Sequence, residues 1–230
     1  MKLAYQILDA GDPGPGAVAV HGEGPARVED MVRIVRGAGL TGPVVVPFGD
    51  YATTTSGMEI GGPCWYRVLP GGTGTDPLTL TRAVVQLSDL LAEVDLERPV
   101  LFGWSQGAAV ALGAALLAPE AVAAVVAVDT PSDDLSRYPA ALAVPGPISV
   151  ADATAPPVLL VASGATEVGL ETSGRELERR GLSVSTVTAA GGPDGGTGAK
   201  DAAFGPSVGE CVAGFLAGTA GRPMAGGSAR

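Results

Sequence analysis

The chain has 230 residues, 46% of them hydrophobic, with 14 Lys and Arg against 24 Asp and Glu and a formal net charge of −10. That length and apolar content predict one domain with a substantial core and exclude global disorder. The acidic balance, with Lys2 and Lys200 the only lysines, excludes the clustered cations that nucleic acids or anionic membrane surfaces require of a partner.

In chain order, the first predicted strand is Leu3 to Leu8. Gly11-Asp-Pro-Gly-Pro-Gly follows as a turn, because no Lys-Ser/Thr comes after it to make a phosphate loop. A strand from Val18 to His21, a helix from Pro25 to Arg36 and a strand from Val44 to Phe48 come next. Gly49 to Thr75, rich in Gly, Pro and Thr, reads as a loop. Asp76-Pro77 reads as a cap and first-turn proline. Leu80, Ala83, Val84, Leu87, Leu90, Leu91 and Val94 then recur at helical spacing.

Strand Val100 to Gly103, helix Gln106 to Leu117 and strand Val122 to Asp129 continue the alternation. Thr130 to Ala155 is a second loop, too short for a full cap domain but long enough for a lid. Strand Val158 to Ala162 and helix Glu167 to Arg180, stopped by Gly181, lead to strand Leu182 to Val187. A third loop, Ala189 to Phe204, precedes a last helix from Pro206 to Leu216. The predicted fold class is α/β: a mainly parallel sheet with helices on both faces, a single domain over 1–220 and a flexible tail over 221–230.

Cys64 and Cys211 lie far apart without metal-ligand spacing, and no charged, then apolar leader opens the chain. The expectation is a reduced, cytoplasmic protein. The apolar stretches 108–117 and 121–128, divided by Pro119 and Glu120, fall short of the roughly 20 residues of a membrane span. His21 is the only histidine, so every mechanism that needs imidazole must use it. One histidine and two distant cysteines make no ordinary zinc centre, and the reading is that no cofactor or metal takes part.

The chemistry is concentrated in Phe102-Gly-Trp-Ser-Gln-Gly107, a Gly-x-Ser-x-Gly directly after an apolar strand and directly before an apolar helix. A serine at such a turn is held in a strained backbone with its hydroxyl exposed. The helix starting there points unpaired N–H groups at negative charge developing beside it. This context resembles the nucleophile elbow of the α/β-hydrolase superfamily, nearest its carboxylesterase and acyl-protein thioesterase branch. The resemblance extends to Val18-Ala-Val-His21-Gly22-Glu23, where that family has a strand ending in His-Gly.

The resemblance implies Ser105 as nucleophile, with the backbone N–H groups of Gln106 and Glu23 as oxyanion donors. It puts Glu167 at the position of the triad acid, although Glu167 can equally be the first-turn acid of the next helix. It puts Asp194, in Gly191-Gly-Pro-Asp-Gly-Gly196, where the family has its histidine. The chain therefore departs from the family at the residue that normally activates the serine. Asp194 could act if a neighbouring carboxylate raised its pKa, and His21 is either a replacement base or the residue that orders the oxyanion loop. Lys200 is read as solvated.

Trp65, Tyr66 and Trp104 are candidates for the wall of an acyl pocket, with a packing role equally open; Tyr51 and Met58 lie near in sequence. Arg67 either meets an anionic part of the substrate or faces solvent. Asp129 follows a strand on the site side and is a candidate substrate-binding residue. Three functions remain open. One is an acyltransferase drawing on a thioester or activated ester, possibly presented on a carrier protein, as in hydrolase-like enzymes of natural-product pathways. The second is an esterase or thioesterase, and the third a binding module without activity.

Overall fold

The computed structural model describes residues 2–8, 14–23, 28–55, 58–69, 74–131, 155–163, 167–189 and 206–220. A seven-stranded sheet forms the centre, in the order β1 (Ala4–Leu8), β3 (Val44–Phe48), β2 (Ala17–Val20), β6 (Val100–Trp104), β7 (Ala124–Val128), β8 (Val158–Ser163) and β9 (Val184–Ala189). β1 pairs antiparallel with β3, and every other neighbouring pair is parallel. The helices are α1 (Val28–Gly37), α2 (Pro77–Glu93), α3 (Gln106–Leu117), α4 (Glu167–Arg179) and α5 (Pro206–Ala220). Among the described residues no helix is long and apolar enough to cross a membrane.

The period-2 geometry of strands sorts the apolar runs into two cores. Val18, Val20, Leu101, Val125, Ala127 and Leu160 share one cluster with the buried stripe of α2, the whole of α3 and Leu177 of α4. Their sequence neighbours Ala17, Ala19, Phe102, Val126, Val128 and Val161 share the other with Met31 and Val35 of α1 and Val212 of α5. Each fully buried Val, Leu or Phe contributes about 1.5–3 kcal/mol against the cost of ordering it. Helix α3 is buried on all sides from Gln106 to Leu116, and its Ala and Gly residues let it lie close beneath the sheet.

One sequence expectation changes. Gly49 to Thr75 is not all loop: β4 (Tyr51–Thr55) and β5 (Met58–Cys64) pair antiparallel as a separate two-stranded sheet. Thr53, Thr54 and Thr55 are β-branched, and their strand propensity outweighs the Gly and Pro content around them. β1, unlike the inner strands, is not buried on both sides. It is an edge strand with no fully buried residue, and Ile7 is exposed. The proposed loops over 132–154 and 190–205, and the tail over 221–230, lie outside the described residues.

The chain moves from β2 outward to β3, then returns across β2 to β6 and continues the other way. Strand order thus reverses between β2 and β6, the place where open parallel sheets hold their ligands beyond the carboxyl ends. His21 follows β2 and Ser105 follows β6, so both lie at this crevice.

Candidate active site

Ser105 joins β6 to α3 with φ 48° and ψ −119°, a conformation that costs an L residue about 1–3 kcal/mol. The surroundings enforce it. Its N–H donates to Val128 O at 2.8 Å, and its carbonyl accepts from Ala108 and Ala109 N–H at 2.9 and 3.3 Å. A Cβ on Gly103 would stand 2.6 Å from Ala108 Cα and from Gly107 O. One on Gly107 would stand 2.2 Å from the carbonyl oxygens of Val20 and His21. Glycine at both positions is therefore what allows α3 to begin directly against β2 and β6. The first N–H groups of α3, beginning with Gln106, have no acceptor inside the helix.

The end of β2 lies alongside. A Cβ placed on Gly22 would be 3.4 Å from Ser105 Cβ and 3.3 Å from Trp104 Cδ1, so the His21–Glu23 segment passes in contact with the elbow. Glu23 is exposed, and Trp104 is partly buried between Gly103 and Ser105.

His21 is 1% exposed. Gly49 N–H donates to its Nε2 at 3.1 Å, so Nε2 carries the lone pair, and Nδ1–H donates to Gly22 O at 2.5 Å. The imidazole is the neutral Nδ1–H tautomer with both nitrogens bonded to backbone. Its ring lies 5.0 Å from that of Trp65 and 6.3 Å from that of Phe48.

Trp65 and Tyr66, each 1% exposed, belong to the core cluster with α2 and α3. The Trp65 indole N–H donates to His21 O at 2.8 Å, and its backbone N–H to Gln106 Oε1 at 3.0 Å. Gln106 Nε2 makes a longer 3.5 Å contact with Tyr66 O. Sequence reasoning singled out Gln106 only for its backbone N–H and missed this side chain. The available signal was a lone amide heading a helix that is otherwise Ala, Gly, Val and Leu. Arg67 is exposed, with its guanidinium 5.1 Å above the Tyr51 ring.

Asp129, on the other flank, follows Val128, whose carbonyl holds the Ser105 N–H. It has φ 50°, and its own N–H donates to Val161 O at 2.8 Å. With Thr130, Ala162, Gly169, Leu170 and Ser173 it lines a small, partly open hollow between the ends of β7 and β8 and helix α4. Thr130 Oγ1 is buried there without a hydrogen-bond partner among the described residues. Glu167 is the first residue of α4, at the carboxyl end of the sheet. Its side chain, like Asp194, Lys200 and the Met58 side chain, lies outside the described residues. The described structure thus brings Ser105, His21, Glu23, Gln106, Trp65, Trp104 and Asp129 to the carboxyl ends of β2, β6 and β7 and their surroundings.

No curated protein matches the chain in sequence. Among solved structures it is similar to a carboxylesterase from Mesorhizobium loti, at 19% identity over 94% of this chain and 95% of that one, with a TM-score of 0.67. It is also similar to acyl-protein thioesterase 2 from Zea mays, at 16% identity over 95% and 99%, TM-score 0.66. A Bacillus cereus carboxylesterase has 16% identity over 94% of each chain, TM-score 0.65. Identities this low establish a shared fold. The sequence model of the alpha/beta hydrolase family matches residues 17–220, nearly the whole length, and the chain belongs to that family.

Proposed function

We propose that this chain transfers an acyl group from a thioester or activated ester to an acceptor through an acyl-Ser105 intermediate. Ser105 Oγ attacks the carbonyl carbon, the Glu23 and Gln106 N–H groups receive the charge on its oxygen, and the C–S or C–O bond breaks. The serine proton leaves with the departing thiol or alcohol. An acceptor amine or alcohol then attacks the acyl-enzyme and releases Ser105.

The observation that carries this reading is the commitment of both nitrogens of the only imidazole in the chain to Gly49 and Gly22. We assign His21 to ordering the oxyanion loop. What remains for proton transfer are carboxylates, Asp129, Glu167 and Asp194, and an ordinary carboxylate with a pKa near 4 activates water poorly at neutral pH. Without a strong base, an acyl-serine persists until a docked acceptor meets it, whereas an activated donor acylates readily.

A second reading, hydrolysis of the acyl-enzyme with a carboxylate as base, draws support from the position of Asp129 next to the carbonyl that holds Ser105. Intact-protein mass after incubation with aliphatic and aromatic acyl thioesters separates the two. A persistent adduct, absent from Ser105→Ala, with little free acid is expected. Rapid release of acid would replace transfer by hydrolysis, and neither adduct nor acid would remove both.

A further inference from the structure

The two oxyanion donors assigned above come from segments that are 83 positions apart in sequence, Glu23 beyond β2 and Gln106 at the head of α3. Their separation must match one oxygen atom to within a few tenths of an ångström, since such donors act only about 2.7–3.1 Å from where the oxyanion sits. Close packing of α3 on β2 sets part of it. Glu23, however, is two residues past the strand and exposed, and needs its own restraint.

Trp65 touches both segments. Its indole N–H grips the carbonyl of His21, two residues before Glu23, and its backbone N–H is gripped by the Gln106 side chain. The His21 carbonyl thereby sits between the indole and Gly107, where no other side chain fits. The His21 ring, tilted 33° against that of Trp65 at 5.0 Å, holds Gly22 O through Nδ1 and Gly49 through Nε2. The peptide units on either side of Gly22 are thus oriented from two directions, one through Trp65 and one through the ring that Trp65 supports. All three side chains are at most 4% exposed, so the bonds operate away from competing water.

We infer that Trp65 is a positioning residue that sets the distance between the Glu23 and Gln106 amides, with the Gln106 side chain as its anchor. The inference deepens the acyl-serine reading and rests on it. Loss of the indole N–H lets the His21 carbonyl rotate, which moves the Glu23 amide while leaving substrate contacts intact. The effect therefore falls on the step that develops charge and not on ground-state binding.

The test uses the full chain with p-nitrophenyl acetate as acyl donor, following the acylation burst and the Ser105 adduct by mass. Trp65→Phe removes the N–H together with part of the ring. Benzothienylalanine at the same position, introduced by semisynthesis, keeps the two-ring shape and removes only the N–H. Both are expected to lower the acylation rate constant at least about tenfold with the half-saturating donor concentration within about twofold. The Glu23 amide resonance should shift in both, and the melting temperature of the benzothienyl protein should stay close to that of the parent. Unchanged acylation in the benzothienyl protein, a loss confined to donor saturation, or an unmoved Glu23 amide would each overturn the inference while leaving acyl-Ser105 standing. Absence of any adduct on the unsubstituted chain would overturn the acyl-serine reading and this inference together.

Discussion

On the β2–β3 flank of Ser105, His21, Gly49, Trp65 and Gln106 hold one another through buried and part-buried hydrogen bonds that reach from the end of β2 to the head of α3. On the β7–β8 flank, Asp129 and Thr130 border an open hollow, and Thr130 Oγ1 has no partner among the described residues. On the acyl-serine reading proposed above, the first flank presents N–H groups to charge on an acyl oxygen, and rigidity serves that task because the donors must be in place before the charge develops. On the same reading the second flank offers an acceptor or base the Asp129 carboxylate and open space. The contrast would then separate forming an acyl-enzyme from consuming it.

The comparison can be broken first at the elbow. Ser105→Ala should abolish covalent acylation, and an unchanged adduct by mass would remove the elbow from the chemistry. Next in size, Gly107→Ala places a Cβ 2.2 Å from two backbone carbonyl oxygens, which must move apart. A loss of about 3 kcal/mol or more in denaturant unfolding is expected, as for other severe overpacking and strain.

His21→Asn should cost about 1–3 kcal/mol of stability by leaving buried backbone groups poorly paired, yet retain measurable acylation. Acylation reduced to the Ser105→Ala level in a folded His21→Asn protein would return the imidazole to the catalytic role. Asp129→Gly relieves a left-handed backbone at φ 50° and should be neutral or stabilising by up to about 1 kcal/mol. If Asp129 serves the consuming step, turnover falls in the same variant while single-turnover acylation does not. A thermal melt and the two rates together check that opposition.

Furthest from the site, Glu176 has its pKa lowered from 4.5 by the hydrogen bond from Arg180, helped by the charges of Arg180 and Arg179 against a desolvation penalty. A lowered folded pKa means stability present above the unfolded value and lost as pH falls through the folded one. Glu176→Gln should therefore cost a few tenths of a kcal/mol at neutral pH, given the solvent around the pair, and nothing once the carboxylate is protonated. Urea midpoints at the two pH values read the difference.

The architecture was legible because the inner strands of the sheet are apolar runs and α2 carries a periodic stripe. Predicted bounds fall within about three residues of the observed ones for each strand of the central sheet, and Gln106 to Leu117 coincides with α3. The hairpin β4–β5 was missed because threonine counts toward both loops and strands, and composition alone cannot decide between them. The strained turn at Ser105 was legible from its local context. What Trp65, Gln106 and the His21 Nε2 bond to was not, because those partners lie 28 to 44 positions away in sequence and only the packed fold brings them together.

The burial of His21 has a practical consequence. Diethyl pyrocarbonate reacts with the unprotonated nitrogen of an accessible imidazole, and here that nitrogen is occupied by Gly49 N–H in a residue 1% exposed. Carbethoxylation must wait for this part of the chain to open, and with a single histidine the absorbance it produces has one source. Its rate is a clock for the breathing of the segment that follows β2, readable without substrate, and ligands that tighten that segment should slow it.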